Sequence, residues 1–207
     1  MTGQGGTGGP ALHGHRGVQS DLVYQGRVIA VRRDIVTMPG QTTSQRDVVV
    51  HPGAVGVVAV DGQGRVLLVT QYRHPVVRRL EELPAGLLDV AGEPALAAAQ
   101  RELVEEAGLA AGRWNVLVDL LTSPGMTDEA IRIFLARDVR EVQRDVQHHE
   151  EAEMTSEWVD LDLALRRVFA GELDNAMCVV GLLAADRALR DEELLRPADA
   201  PWSARMP

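Results

Sequence analysis

A single cysteine, Cys178, among 207 residues allows no internal disulfide and no cysteine-based zinc site. It lies in the apolar run 176–183, which points to a buried structural thiol. No apolar run approaches the roughly 18 residues that cross a bilayer. The glycine-rich residues 1–17 lack the charged-then-apolar order of a secretory signal, so a cytoplasmic location is the expectation and a membrane partner is not. Positive charge is also short. The formal net charge of −9 argues against nucleic acid as a partner, because phosphate backbones are gathered by broad basic surfaces. Small anionic substrates stay open, since a divalent ion reverses the field inside a pocket.

With 45% apolar and 25% charged residues the chain has the balance of a globular protein, long enough for one sizeable domain and an extension. Residues 1–20, with His13 and His15 among many glycines, read as a disordered tail. Residues 21–52 read as a small N-terminal β-sheet: two strands over 22–37 broken at Gly26, a Pro39-Gly40 turn, and a third strand over 47–51. Three strands bury too little apolar area to stand alone, so this sheet needs a partner, and a second subunit is one candidate.

Residues 53–195 read as the main domain. Apolar strands at 54–60 and 65–72 are joined by Asp61-Gly62-Gln63-Gly64, which is hairpin-turn chemistry. A strand at 80–83 leads into Pro84-Ala85-Gly86. Glu93-Pro94 then opens a helix that runs to about Ala107 and stops at Gly108. Strands at 115–122 and 131–136 follow, then a charged stretch, 137–153, read as a loop. A strand at 155–160 and helices at 161–169 and 176–189, the second capped by Asp174-Asn175, complete the domain. Residues 196–207 read as a frayed tail. The class is α/β or α+β around a mixed sheet.

The helix after Pro94 carries the chemistry. Glu102 and Glu106 are one turn apart on one face, and Glu105 lies at its margin, while Leu96, Ala99 and Leu103 supply a stripe for packing. Two carboxylates drawn into a cleft ~5 Å apart repel by ~3 kcal/mol at an effective dielectric near 20. A divalent cation removes that cost, and Mg²⁺ suits oxygen ligands and can share phosphate oxygens with a substrate. A Glu-Glu pair by itself is ordinarily a solvated helix face. The combined pattern R-E-apolar-x-E-E-x-G-apolar, however, arises by chance in roughly one such chain in ten thousand at average residue frequencies.

This segment resembles the Nudix box, G-x5-E-x7-R-E-U-x-E-E-x-G-U with U apolar. One departure is visible: six residues, not five, separate Gly86 from Glu93, whereas the seven from Glu93 to Arg101 hold. The resemblance implies an α/β/α sandwich and a Mg²⁺-dependent hydrolase of a diphosphate linkage, with Mn²⁺ a possible substitute. It makes Glu102 and Glu106 metal ligands, Glu105 an auxiliary one, and the Ala85 carbonyl a further contributor. Arg101 then organises the carboxylates by pairing with Glu105 or Glu93.

Beyond the box, Ser123-Pro124-Gly125 lies fifteen residues past Leu109, and a proline there resembles the ADP-ribose pyrophosphatase branch of the family. Tyr72-Arg73, Glu82-Leu83-Pro84-Ala85-Gly86, Met126-Thr127-Asp128-Glu129 and Gly171-Glu-Leu-Asp-Asn175 are similar to that branch as well. The resemblance implies ADP-ribose as substrate, with Pro124, Gly125 and Met126 beside it and Arg73 holding its terminal ribose or phosphates. It also implies a homodimer through the N-terminal sheet, which would let Arg46 reach the neighbouring site. Glu82 is open between accepting from the adenine amino group or a ribose hydroxyl and pairing with a nearby arginine. The resemblance implies a loop glutamate as general base in the acidic stretch His148-His149-Glu150-Glu151-Ala152-Glu153; matching positions to that branch favours Glu151, also a candidate metal ligand, with Glu150 and Glu153 as alternatives. A pyrophosphatase of GDP-mannose or another nucleotide sugar, and a non-catalytic nucleotide sensor, are the competing readings.

Overall fold

A computed structural model describes residues 16–143 and 153–205, which divide into two compact units. One unit takes the chain up to Pro52 together with Leu121–Glu129; the other takes Gly53–Leu120 and Ala130 onward.

In the first unit, β1 (Arg16–Gln25), β2 (Ala30–Thr37) and β3 (Thr43–Val50) form an antiparallel sheet in that order. The strand β1 begins inside the segment read as a disordered tail: Arg16 pairs with Thr37 and Ser20 with Asp34. Backbone pairing with β2 holds this stretch in the sheet. Arg33 on β2 meets its cross-strand neighbour Asp47 on β3 at 2.8 Å. The segment Leu121–Glu129 belongs to this unit because it is stitched to β3. The Val49 N–H donates to the Met126 carbonyl at 2.8 Å, and the His51 N–H donates to the Asp128 carboxylate at 2.9 Å.

The second unit holds a mixed five-stranded sheet and a three-stranded antiparallel one. In the first, β7 (Ala85–Leu87), β4 (Ala54–Ala59), β9 (Ala130–Glu141), β8 (Leu109–Leu121) and β11 (Arg196–Pro197) lie side by side, with β4 and β9 parallel. In the second, β5 (Arg65–Arg73) lies between β10 (Thr155–Asp160) and β6 (Arg78–Glu82). Every residue of β4 is buried, and alternation divides its side chains. Val55, Val57 and Ala59 join a core with Ala98, Ala99 and Leu103 of α1 (Ala95–Ala107). Ala54 and Val58 join another with Ala164 of α2 (Leu161–Phe169) and Cys178 and Leu182 of α3 (Ala176–Leu189). The sheet is thus covered on both faces, which gives the expected α/β/α arrangement. Burial also pushes the Cys178 thiol up to about 12, so it is an inert core group, as its apolar context implies.

Three expectations need correction. The Asp61–Gly64 turn is present, but β4 and β5 share only the Val60–Val66 bridge and then enter different sheets, because β4 pairs with β9 and β7 instead. The stretch read as a loop from residue 137 continues β9 as far as Glu141. The C-terminal segment is tied down, not frayed. Arg132, 4% exposed, makes a two-point contact with Asp119 at 2.7 and 3.0 Å and donates to the carbonyls of Ala200 and Pro201. Arg196 adds a third bond to Asp119 at 2.8 Å, and the Trp202 ring lies 4.8 Å from the Arg132 guanidinium. No periodic signal in the sequence announces a segment held by one buried arginine.

Burial pushes the Asp119 carboxyl up, but hydrogen bonds from Arg132 and Arg196 outweigh it and hold the group below the usual carboxylate range. A depressed carboxyl stabilises the fold above its unfolded value and loses that contribution as pH falls through the folded one, hence below about pH 4. Asp119→Asn is expected to cost about 3 kcal/mol in urea unfolding at neutral pH, because Arg132 is left buried without its counter-charge. The variant's loss of stability on acidification should be correspondingly smaller than the parent's.

Candidate active site

The helix α1 starts behind Pro94 and ends at Gly108, whose φ of 65° is the left-handed cap anticipated from the sequence. Its apolar face packs on β4, and the adjoining flank carries Glu102 and Glu106 against β7. Gly86 makes this approach possible. A Cβ there would sit 1.9 Å from Glu102 Oε1 and 2.3 Å from its Cγ, so no other residue leaves room for that carboxylate. One turn on, Glu106 is 7% exposed, and its Oε2 accepts the Ala85 N–H at 2.9 Å. The two carboxylates therefore border adjacent residues of β7, Glu102 at Gly86 and Glu106 at Ala85.

Arg101 holds the cluster together. It grips both oxygens of Glu93 at 3.0 and 3.1 Å and also donates to Glu102 at 2.6 Å and Glu105 at 2.9 Å. The Glu93 bonds, with added attraction from Glu102 and Glu105, raise the guanidinium above its ordinary value against a partial desolvation penalty. The same bonds hold Glu93 below the usual carboxylate range. Both pairings weighed for Arg101 are thus present, and the contact to Glu102 is one the sequence did not suggest. With six residues between Gly86 and Glu93, the Glu93 N–H returns to the Val90 carbonyl at 3.1 Å and the Glu93 carboxylate reaches Arg101.

These residues fit a hard divalent cation. The donors are carboxylates, the hard oxygen groups that such an ion prefers, and Gly86 makes room for the Glu102 side chain that would help to hold it. Among the described residues no three acidic, imidazole or thiol side chains converge closely enough to hold an ion by themselves. A cavity of about 330 Å³ beside the box loop, lined by Leu88, Val90, Glu93 and Trp202, includes neither Glu102 nor Glu106.

A second polar cluster joins β5, β6 and α3. Glu82 is fully buried and accepts from Arg73, Gln71 and Asn175. The arginine pairing weighed for Glu82 is the arrangement present. Gln71 and the Nδ2 of Asn175 are members that sequence reasoning missed; alternation along β5 places Gln71 on the Arg73 face, but nothing pointed to α3. Arg46, Pro124, Gly125 and Met126 are exposed and belong to the first unit, where Arg46 donates to the Gln45 carbonyl at 2.9 Å. Glu150 and Glu151 lie outside the described residues, whereas the carbonyl of Glu153 accepts from Arg79 at 2.7 Å.

Comparison with known proteins decides the family. The NUDIX domain model matches residues 50–177, which include the whole carboxylate helix with β7 and Gly86. The chain belongs to the Nudix family. An ADP-ribose pyrophosphatase of Mycobacterium tuberculosis is 48% identical over 94% of this chain and 94% of its own. An ADP-ribose pyrophosphatase of Bacillus subtilis is 36% identical over 77% of this chain and 85% of its own. The fold is also that of a solved ADP compounds hydrolase, with a TM-score of 0.76 at 19% identity over 89% of this chain and 98% of the other. In this Nudix hydrolase the matched region begins at the end of β3 and leaves out most of the N-terminal sheet.

Proposed function

We propose that this Nudix hydrolase cleaves the diphosphate of ADP-ribose with Mg²⁺, giving AMP and ribose 5-phosphate. The observation that carries the reading is 48% identity, along nearly the full length of both chains, to a protein named for that activity. The Arg101–Glu102–Glu105–Glu106 cluster supports a catalytic rather than a sensing role, since a pure binder has no need of mutually repelling carboxylates.

Glu102 and Glu106 would hold the metal, with Glu105 auxiliary and the Ala85 carbonyl contributing; Mn²⁺ would substitute. When bound, the ion stabilises negative charge on the diphosphate oxygens and lowers the pKa of water. Arg101, committed to Glu93, keeps Glu102 and Glu105 in place without touching substrate. Arg73, whose Nε and Nη2 donate to Glu82, grips the phosphates or terminal ribose through the outer end of its guanidinium. A water oxygen adds to one phosphorus, the bridging oxygen leaves with the other product, and Glu151 accepts the water proton. Glu151 is assigned by resemblance alone. Exposed Leu22, Val23 and Tyr24 on β1, with Val28 and Ile29 in the turn to β2, support a homodimer, because an isolated sheet gains by covering such side chains. Pro124, Gly125 and Met126, carried on that sheet, would border the adenosine, and Arg46 would reach the partner's site.

The test is product analysis from ADP-ribose and a panel of nucleotide sugars with Mg²⁺, with and without chelator. AMP and ribose 5-phosphate from ADP-ribose, at a kcat/KM well above that for GDP-mannose and lost with chelator, is expected. Preferential GMP release from GDP-mannose would contradict the substrate, and tight ADP-ribose binding without turnover would contradict the enzyme.

A further inference from the structure

We infer that Glu82 is a positioning residue: it sets the direction of the Arg73 guanidinium and does not itself contact substrate. The inference rests on the reading of Arg73 as the substrate-gripping arginine. Glu82 is 0% exposed, and its acceptor capacity is spent. Oε1 receives Arg73 Nε at 3.2 Å and Asn175 Nδ2 at 3.0 Å. Oε2 receives Arg73 Nε at 3.1 Å, Arg73 Nη2 at 2.7 Å and Gln71 Nε2 at 3.3 Å. A carboxylate has about four lone-pair sites. A ribose hydroxyl or adenine amine would have to displace one of these donors and penetrate a closed interior.

The members of the cluster come from three elements, and that makes the arrangement rigid. Gln71 and Arg73 stand two apart on β5 and share a face, Glu82 lies on the neighbouring strand β6, and Asn175 is the N-cap of α3. Asn175 serves two ends at once: its Oδ1 caps the helix through the Cys178 N–H at 3.0 Å while its Nδ2 fixes Glu82. The two neutral amides hold the carboxylate plane and the one cation balances its charge. Arg73, with its side chain 41% exposed, is consequently presented outward in one orientation. A pre-set guanidinium loses less freedom when it closes on an anion, so its benefit falls on binding.

The experiment is a double-mutant cycle on full-length protein, read as KM and kcat on the diphosphate substrate that the wild-type enzyme hydrolyses best. Failure of ADP-ribose as that substrate would overturn the function proposed above and leave this inference open to the same test. Glu82→Gln is expected to raise KM about tenfold with kcat within threefold, and to add less than twofold when Arg73 is already Ala. Asn175→Ser retains a capping hydroxyl but loses the donor to Glu82. It should raise KM severalfold with little change in melting temperature, and it carries the test if Glu82→Gln does not fold. A KM effect of Glu82→Gln that is equally large in the Arg73→Ala background would overturn the inference in favour of direct contact. An unchanged KM in Asn175→Ser, or a loss confined to kcat in either variant, would also overturn it.

Discussion

Glu106→Gln is expected to lower kcat about a thousandfold while the protein stays folded. The substitution keeps the shape of the side chain and one oxygen that can accept the Ala85 N–H, so the contact at 2.9 Å between α1 and β7 survives. It removes one of the negative charges that make the cluster a place for a cation. A metal that contributes several kcal/mol to charge stabilisation in the transition state is worth about a thousandfold in rate when it is lost. Stability should fall little, because the variant also relieves repulsion between Glu102 and Glu106. Steady-state kinetics at saturating Mg²⁺ beside a thermal melt checks both halves. Unchanged turnover would refute the metal assignment, and a collapsed melt would make Glu106 a folding residue.

Gly86→Ala is the second large effect, and it acts without touching any charge. The added methyl would fall 1.9 Å from Glu102 Oε1, 2.0 Å from its Cδ and 2.3 Å from its Cγ. The outer half of the Glu102 side chain occupies that space, so it must rotate away or α1 must lift from β7. Both outcomes take Glu102 out of position. The expected result is at least a tenfold rise in the Mg²⁺ concentration needed for half-maximal rate, on the scale by which metal affinity answers to its supporting contacts. Stability is expected to drop by about 1–3 kcal/mol, as overpacking does elsewhere. A variant with normal Mg²⁺ dependence would mean that Glu102 does not need its place beside Gly86.

The sequence announced the helix of this site well, because its markers are local. Pro94 at the start, Gly108 at the end and an apolar stripe between them act within a few residues, and α1 spans Ala95–Ala107 as those markers require. The two later helices were equally legible, and Asn175 caps α3 as its position before the apolar run suggests. Nonlocal partnerships were not legible. The Asp61–Gly64 turn read as a hairpin because turn chemistry reports the direction of the chain, not which sheet each strand then enters. The Pro124 segment looked like part of the main domain by its place between β8 and β9. Its hydrogen bonds go instead to the end of β3 and the residue that follows it, where Val49 meets Met126 and His51 meets Asp128 with a separation of 77.

The polar interior was the other blind spot. Glu82, Arg132 and Asp119 carry no periodic signal, and a charged residue in a sequence is by default assigned to the surface. Each is buried or half-buried through partners distant in the chain: Asn175 lies 93 residues from Glu82, and Ala200 lies 68 from Arg132. All 21 of the lysine-or-arginine positions are arginine, with no lysine. A planar fork with several donors suits these sites, since it satisfies a carboxylate and backbone carbonyls together where an ammonium would act as a point charge. Arg132, shared between Asp119 and two C-terminal carbonyls, is the fullest example.

The central claim is that Glu102 and Glu106 together make the cation site of this hydrolase. Direct titration of Mn²⁺, followed by electron paramagnetic resonance of the free ion, tests it without relying on turnover. The wild-type protein is expected to bind Mn²⁺ saturably and to release it to excess Mg²⁺, whereas folded Glu102→Gln/Glu106→Gln protein should bind at least tenfold more weakly. Equal Mn²⁺ affinity in the two proteins would contradict the account and place the metal elsewhere.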